Sequence, residues 1–246
     1  MSGHSKWSTI KRKKEKTDGQ RAKIFTKIGR EIAVAVKSGG PDPTVNSKLK
    51  DIIAKAKSNN VPNDNVERII KKAAGEGSSD NFEEIVYEGY GPSGIAVIVE
   101  TLTDNRNRTA GEMRHYFDKF GGNMGQSGCV SFMFNRYGII LVERSSISED
   151  KMMDDALEAG AIDFLTDEEE IFEIRTEAND FSSIREVLEN KGYKLASADI
   201  EYVPSTYTVL TSEEDAKNMC KLLEMFEDND DVQNVWHNWE NADEYI

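Results

Sequence analysis

Apolar residues recur at helical spacing in three segments near the amino end of the chain. In the first, the apolar positions between residues 24 and 35 fall on one side, and lysines and arginines fall on the other. The second stripe runs through residues 45–56 and the third through residues 66–73. Because three short amphipathic helices can bury one shared core, residues 21–74 are predicted to form a small bundle with a basic exterior.

The pattern changes after the polar stretch GEGSSDN at 75–81, which is typical of a linker. Beyond it, strands are predicted at residues 84–90, 95–102, 129–134, 138–144, 162–165, 171–176, 193–203, 206–211 and 232–237. Helices are predicted at residues 108–120, 149–159, 180–191 and 213–227. Each of these helices carries an apolar stripe, which indicates a face turned toward a core.

The order of these elements predicts the fold class. Residues 138–203 read β-α-β-β-α-β, the order of a ferredoxin-like unit. The segments on either side, taken together, also read β-α-β twice, and a compact domain is easily inserted into another. The prediction is an α+β protein with an N-terminal helical bundle and two ferredoxin-like α/β domains, one inserted in the other. The predicted domains are residues 1–80, residues 81–136 with 204–246, and residues 137–203.

Charge is distributed very unevenly along the chain. Residues 1–75 hold 18 Lys and Arg against 7 Asp and Glu, whereas the remainder holds 13 against 38. A polyanion attracts the basic end and repels the acidic end, so the protein is predicted to meet nucleic acid end-on. The candidate contacts in the basic end are Lys6, Trp7, Lys11, Arg12, Lys13, Lys14, Lys23, Lys27, Arg30, Arg68, Lys71 and Lys72.

The first twenty residues form a basic arm that is nearly free of apolar side chains. Such a segment is expected to stay flexible until it binds. Its cations would neutralise phosphates and release counterions, and Trp7 would stack on an unpaired base. The alternative is a solvated tail in which Trp7 packs on the bundle.

The motif TDNRNRT at 103–109 lies between a predicted strand and a predicted helix. Arg106 and Arg108 suit phosphate oxygens, and the neighbouring asparagines suit base edges. The alternative is a plain turn in which Thr103 or Asp104 caps the helix and the arginines pair with nearby acids. Both interpretations remain open from the residues alone.

The glycine-rich stretch GGNMGQSG at 121–128 lacks the patterns of nucleotide-binding loops. Its GNMG matches the four-residue loop that clamps nucleic-acid backbones in KH domains, but a tight turn is the favoured interpretation.

Enzymatic chemistry finds little support in the residues. None of the three histidines lies in an HExxH motif or near a Cys-x-x-Cys motif, and the acidic runs lack the spacing of a calcium loop. No catalytic residue, metal or cofactor is predicted, and Cys129 and Cys220 are expected to be free thiols. No apolar run is long enough to span a bilayer, so a cytoplasmic monomer without a membrane partner is expected.

Several motifs resemble those of the YebC/PmpR family of transcriptional regulatory proteins, which is related to mitochondrial translational activators. The resemblance covers nearly the whole chain. It rests on GHSKWSTIK at 3–11, RAKIFTKIGREI at 21–32, VPNDNVERIIKKAAG at 61–75, YEGYGPSGIAVIVETLTDNRNRT at 87–109, GGNMGQSGCVSFMF at 121–134 and DVQNVWHNW near the end. The stretch 11–16 is richer in lysine, and the tail after Trp239 more acidic, than is usual for the family.

The resemblance implies a helical N-terminal domain, two α/β domains and a non-enzymatic role in gene expression. Two targets stay open. A DNA-binding transcriptional regulator would use residues 63–74 as a recognition helix, with Asn63, Asn65 and Arg68 toward the groove. A translation factor that relieves stalling at proline runs would instead bind ribosomal RNA through its arm and basic ribosomal proteins through its acidic body. A third alternative is an acidic adaptor that binds a basic protein.

Overall fold

The computed structural model describes residues 18–75, 81–144 and 147–245. Its helices are α1 (Asp18–Gly39), α2 (Ser47–Ser58), α3 (Asn63–Ala74), α4 (Arg106–Lys119), α5 (Glu149–Ala159), α6 (Phe181–Asn190) and α7 (Glu213–Asp228). Its strands are β1 (Glu83–Tyr90), β2 (Ala96–Thr103), β3 (Asn123–Met124), β4 (Phe134–Glu143), β5 (Asp163–Leu165), β6 (Ile171–Glu177), β7 (Leu195–Pro204) and β8 (Val232–His237). These elements confirm the predicted α+β class.

The helices α1, α2 and α3 form the predicted bundle around one apolar core. Buried side chains from all three helices meet there: Ile28, Ile32, Ala35, Val36, Leu49, Ile52, Ala56, Val61 and Val66. Asn46 fixes the corner between α1 and α2, because its side chain accepts a hydrogen bond from the Leu49 N–H and donates to the carbonyls of Ala35 and Gly40. This buried amide both caps α2 and holds the end of α1 against it.

Two four-stranded antiparallel sheets follow the bundle. The first sheet has the order β3-β1-β2-β8, and the second has the order β5-β6-β4-β7. Helices α4 and α7 pack on one face of the first sheet around Met113, Phe117, Met219, Phe226 and Trp239. Helices α5 and α6 cover one face of the second sheet in the same way. The second sheet has the strand order of the predicted ferredoxin-like unit.

The first sheet departs from the expected order in one respect. Residues 206–211 were expected to supply one of its strands, but they form only a single bridge, between Thr208 and Trp239. The side-chain amide of Asn241 takes up the pairing instead, since it accepts from the Leu210 N–H and donates to the Leu210 carbonyl, both at 3.0 Å. The place beside β2 that is not taken by β8 is occupied by β1, which lies earlier in the chain.

A second departure concerns residues 129–134, which were predicted to be a strand. Ser131–Met133 is a short 3-10 turn, and Phe134 already begins β4. The reason is a buried carboxylate, Glu88, which accepts hydrogen bonds from the backbone of this segment and takes its N–H groups away from any neighbouring strand. No helix within the described ranges has both the length and the apolar character that a bilayer crossing demands.

Candidate nucleic-acid interface

The arm residues predicted to meet nucleic acid lie outside the described residues. They are Lys6, Trp7, Lys11, Arg12, Lys13 and Lys14. The described part of the predicted interface therefore begins with α1 and includes α3 and the segment before α4.

Helix α3 presents its predicted cations to solvent. Val66 lies in the bundle core, and Ile69 and Ile70 pack against it, so the opposite side of the helix carries Arg68, Lys71 and Lys72. Arg68 donates to the side-chain oxygen of Asn65 at 3.0 Å, and Lys71 lies 4.0 Å from Glu67. Such exposed contacts one turn apart are weak, so Arg68 and Lys71 can exchange them for contacts with a ligand.

The connection between α2 and α3 is a tight turn. Only residues 59–62 separate the two helices. Asn60 takes the left-handed conformation with φ 57°, which asparagine tolerates better than most residues. The N–H of Val61 bonds the carbonyl of Ala56, and Val61 is buried in the bundle core. A helix, a tight turn and a second helix with an exposed polar face are the elements of a helix-turn-helix motif.

Helix α1 turns its cations toward the acidic body. Lys23 bonds a carboxylate oxygen of Asp228 at 2.7 Å, and Lys27, one turn later, bonds the backbone carbonyl of Glu227 at 3.1 Å. Arg30 bonds the carbonyls of Leu102 and Asp230 as well as the carboxylate of Asp231. The assignment of Lys23, Lys27 and Arg30 to phosphate remains a prediction, but each of them already holds a partner within the chain.

Asp231 is the centre of this junction. It is 4% exposed, and its carboxylate accepts hydrogen bonds from Arg30 at 2.8 Å and Arg108 at 2.6 Å. Thr103 and Thr109 donate to the same carboxylate from β2 and α4. Burial alone would raise the pKa of Asp231, but these hydrogen bonds outweigh burial and lower it. The carboxylate therefore stays ionised and joins the bundle to the first sheet.

The TDNRNRT segment is a capped turn. Asn105 caps α4 by accepting from the Arg108 N–H at 3.1 Å, so the predicted cap at Thr103 or Asp104 is wrong. The Thr103 hydroxyl donates to Asp231 and accepts from the Asn105 N–H at 2.9 Å, so the backbone N–H that it bonds belongs to the capping residue and not to the first turn of the helix. Arg108 pairs with Asp104 and Asp231, whereas Arg106 is exposed at the start of the helix. Their role as a second phosphate contact remains a prediction.

The glycine-rich segment after α4 is held by Glu88. This carboxylate, 6% exposed, accepts from the backbone N–H groups of Gly128, Val130 and Ser131 at 2.8 to 2.9 Å. Burial would raise the pKa of Glu88, but the three backbone hydrogen bonds lower it. Gly122 lies so close to the Tyr90 carbonyl that a β-carbon would overlap it. The segment is a fixed connection whose residues Asn123–Met124 form β3 at the edge of the first sheet.

A second junction fastens the bundle to the second sheet. Lys55 on α2 lies between Asp199 on β7 at 2.7 Å and Glu31 on α1 at 3.2 Å. Burial would lower the pKa of Lys55, but attraction to the two carboxylates raises it instead. Burial raises the pKa of Glu31, and Lys55 only partly offsets this.

The same helix makes further contacts with α6. Arg185, 3% exposed, bonds the Asp51 carboxylate at 3.0 Å, and the Ser182 hydroxyl donates to that carboxylate as well. Lys50 pairs with Glu186 at 2.6 Å. The bundle is thus fixed to both sheets by polar contacts.

Sequence reasoning missed the residues that organise these junctions. Asp231, Glu88 and Lys55 were not singled out, because a single charged residue in a chain with 76 charged side chains carries no visible signal. Asp231 stands at the start of the DVQNVWHNW motif, and Glu88 stands inside the YEGYG motif, so motif membership was the only available hint. Within the described ranges, no group of three or more His, Cys, Asp or Glu side chains is arranged to hold a metal ion.

The fold and the site define a class of protein in which a basic helical bundle is fixed by ion pairs to two antiparallel α/β sheets. A family model for the second and third domains of TACO1/YebC proteins matches residues 82–239. A model for the N-terminal domain of TACO1/YebC proteins matches residues 5–76. The chain belongs to the TACO1/YebC family, which confirms the resemblance seen in the motifs.

Relatives of similar length match almost the whole chain. A probable transcriptional regulatory protein of Acetivibrio thermocellus is 63% identical over 97% of this chain and 99% of its own. One of Finegoldia magna, with the same name, is 56% identical over 98% of this chain and 100% of its own. The crystal structure of a conserved hypothetical protein from Aquifex aeolicus matches with a TM-score of 0.82, 45% identity and 92% coverage of both chains.

Proposed function

We propose that this chain is a non-enzymatic regulator of gene expression that binds DNA through residues 1–75. The observation that carries the proposal is the exposed face of α3 behind a four-residue turn, in the part of the chain whose sequence begins with the basic arm. The arm and the helix belong to the part of the chain that holds 18 Lys and Arg against 7 Asp and Glu. Cytoplasmic location and a monomeric state are part of the same proposal.

The size and chemistry of α3 suit the major groove. The helix has 12 residues, a length of about 18 Å, and the major groove of B-DNA admits a helix. Arg68 is the base-reading candidate, because an arginine fork matches the two acceptors of guanine. Lys71 and Lys72, one turn later, suit the phosphates at the groove edge. The relatives named probable transcriptional regulatory proteins favour the same target.

The role of the arm is tested by deleting residues 2–16 from the full chain, which leaves α1 intact. The deletion removes six Lys and Arg residues, and each lost phosphate contact lowers the salt dependence of binding. The plot of log K against log salt has a negative slope, and its magnitude is expected to decrease by about 3 to 5. An unchanged affinity and slope, measured by filter binding to duplex DNA, would contradict the proposal.

The role of α3 is tested with Arg68→Ala in the full chain. If Arg68 reads a base, the preferred duplex should bind about five- to a hundredfold more weakly, and preference for the base at that position should relax. Lys221→Ala on α7 is the matched control, since it removes an exposed cation from the acidic body. Equal effects of the two substitutions would argue against a recognition helix.

A second candidate is a ribosome- or RNA-associated translation factor that promotes elongation. The observation in its favour is the acidic body, since residues 76–246 hold 38 Asp and Glu against 13 Lys and Arg. Such a body is repelled by a long duplex but suits basic ribosomal proteins. An arm with Trp7 stacking on unpaired bases needs no recognition helix.

The two candidates agree on the arm deletion but make different predictions for Arg68→Ala. A translation factor would lose RNA binding when residues 2–16 are deleted and keep it in Arg68→Ala, whereas a DNA-binding regulator would lose affinity in both. Crosslinking in cells, followed by sequencing of bound DNA and RNA in parallel, identifies the target directly. Recovery of ribosomal RNA alone would overturn the DNA proposal in favour of the second candidate.

A further inference from the structure

The end of α7 and the residues after it lie along the cationic side of α1. This acidic segment, residues 227–230, reads Glu-Asp-Asn-Asp. Its oxygens accept hydrogen bonds from Lys23 at 2.7 Å, from Lys27 at 3.1 Å and, through the carbonyl of Asp230, from Arg30 at 2.7 Å. A row of oxygen acceptors matched to cations one turn apart is the arrangement that a phosphodiester backbone would offer to the same helix.

The contacts of this segment differ in strength along α1. Lys23 and Asp228 keep 42% and 75% of their side-chain surface exposed, so their ion pair is solvated and weak. Arg30 and Asp231 keep only 19% and 5%, and Asp231 has three further side-chain donors. The outer part of the contact can therefore open while the buried part holds the bundle in place.

We propose that the acidic segment 227–230 is an internal competitor that covers a phosphate-binding face of α1 formed by Lys23 and Lys27. The phosphodiester backbone of a nucleic acid displaces the segment from these two lysines, while Arg30 stays bonded to Asp231. This inference rests on the proposed binding of nucleic acid by residues 1–75. It adds a second surface for nucleic acid on α1, and this surface becomes accessible only when the acidic segment is displaced.

The consequence is selectivity for densely charged ligands. A small anion offers one charge and gains little over Asp228, which is already in place beside Lys23. A nucleic acid held by the arm presents many phosphates close to α1, so its local concentration is high enough to replace the segment.

The test is to neutralise the competitor in the full chain with Asp228→Asn and Asp230→Asn together. Both residues are exposed, and the variant keeps the backbone carbonyls that bond Lys27 and Arg30. The control variant, Asp154→Asn with Asp167→Asn, makes the same change of charge on exposed residues of the body remote in sequence from the segment. Binding of a fluorescent duplex and of a structured RNA is measured by anisotropy at fixed salt.

The competitor variant is expected to bind about three- to tenfold more tightly than wild type, and the control less than about twofold. In wild type, Lys23→Ala should change affinity little, because Asp228 occupies that lysine. In the competitor variant, Lys23→Ala should remove most of the gain. Persistence of the gain without Lys23, or equal gains in variant and control, would overturn the inference and leave the proposed function standing.

A different outcome separates the two proposals. If wild type and the arm deletion bind nucleic acid equally weakly, the proposed function fails and the competitor has nothing to compete with. Thermal unfolding of each variant is measured alongside. If the competitor variant unfolds at the same temperature as wild type, its change in affinity reflects the exposed lysine rather than a less stable fold.

Discussion

Arg30 on α1 and Asp231 before β8 are bonded at 2.8 Å, although 200 residues separate them in the chain. The same carboxylate holds Arg108 at the start of α4. One ionised side chain thus connects the bundle, the first sheet and the segment that carries the TDNRNRT motif. The position of the proposed nucleic-acid-binding part relative to the body depends on it.

Replacing Asp231 by alanine is expected to lower the free energy of unfolding by about 3 kcal/mol, because the largely buried Arg30 then keeps only backbone carbonyls as partners and loses the carboxylate that balances its charge. Urea unfolding followed by circular dichroism measures the loss. Asp230→Ala is the control, since this neighbour is exposed and is expected to cost no more than about 0.5 kcal/mol. Equal losses in the two variants would show that the buried ion pair contributes nothing.

Lowering the pH should reduce the free energy of unfolding partly through Glu88. Folding lowers the pKa of this carboxylate, so its stabilising effect is present above the unfolded pKa of about 4.3 and disappears as pH falls through the lower folded value. Glu88→Gln should therefore be less stable at pH 7 and should lose less stability than wild type between pH 5 and about pH 3. Parallel losses in both proteins over this interval, measured by urea unfolding, would contradict the assignment.

The junction at Lys55 should respond to pH in the opposite sense. Lys55→Met leaves Glu31 and Asp199 without their shared cation and is expected to cost about 3 kcal/mol at pH 7. Folding already raises the pKa of Glu31, so protonation on lowering the pH favours the folded form of the variant and recovers part of the loss near pH 5. Lys57→Met on the exposed side of α2 should show neither effect. A loss in Lys55→Met that grows toward pH 5 would argue against the proposed charge balance.

Two glycines should respond differently to alanine. At Gly122 a β-carbon would overlap the Tyr90 carbonyl and lie 3.0 Å from the α-carbon of Gly91, so Gly122→Ala is expected to cost about 1–3 kcal/mol. At Gly111, inside α4, an added β-carbon would have no heavy atom within 4 Å beyond the backbone of its own helix and its chain neighbours, and alanine should stabilise the helix by about 0.5–1 kcal/mol. Thermal unfolding compares the two, and a tolerated Gly122→Ala would mean that the turn can shift.

The periodic elements could be predicted from the sequence because burial imposes its period directly on the residues. In α7, for example, Ala216, Met219 and Phe226 recur at helical spacing and are all fully buried. The strand expected at 206–211 could not be corrected from the sequence. Its place depends on Asn241, whose amide satisfies Leu210 from a position 31 residues later. Local patterns contain no information about such a partner.

The sequence predicts which charged residues the candidate site contains, but not which residues they bond. The basic end and the exposed cations of α3 follow from counting charges and from helical periodicity. The bonds of Lys23 and Arg30 with Asp228 and Asp231 do not, because they join residues about 200 positions apart. A charge count measures how many cations a segment holds, whereas their availability depends on tertiary structure.

Phe134 and Pro204 are paired across β4 and β7, so the chain leaves the first sheet and returns to it at nearly the same point. The return comes late, since β8 completes the first sheet only after the second sheet has been passed. During synthesis the second sheet can therefore close while β2 still has a vacant edge and α7 has yet to cover its apolar face. A chaperone that binds unpaired strand edges would meet this protein at β2, and truncation between Pro204 and Val232 would remove β8 and leave that edge permanently exposed.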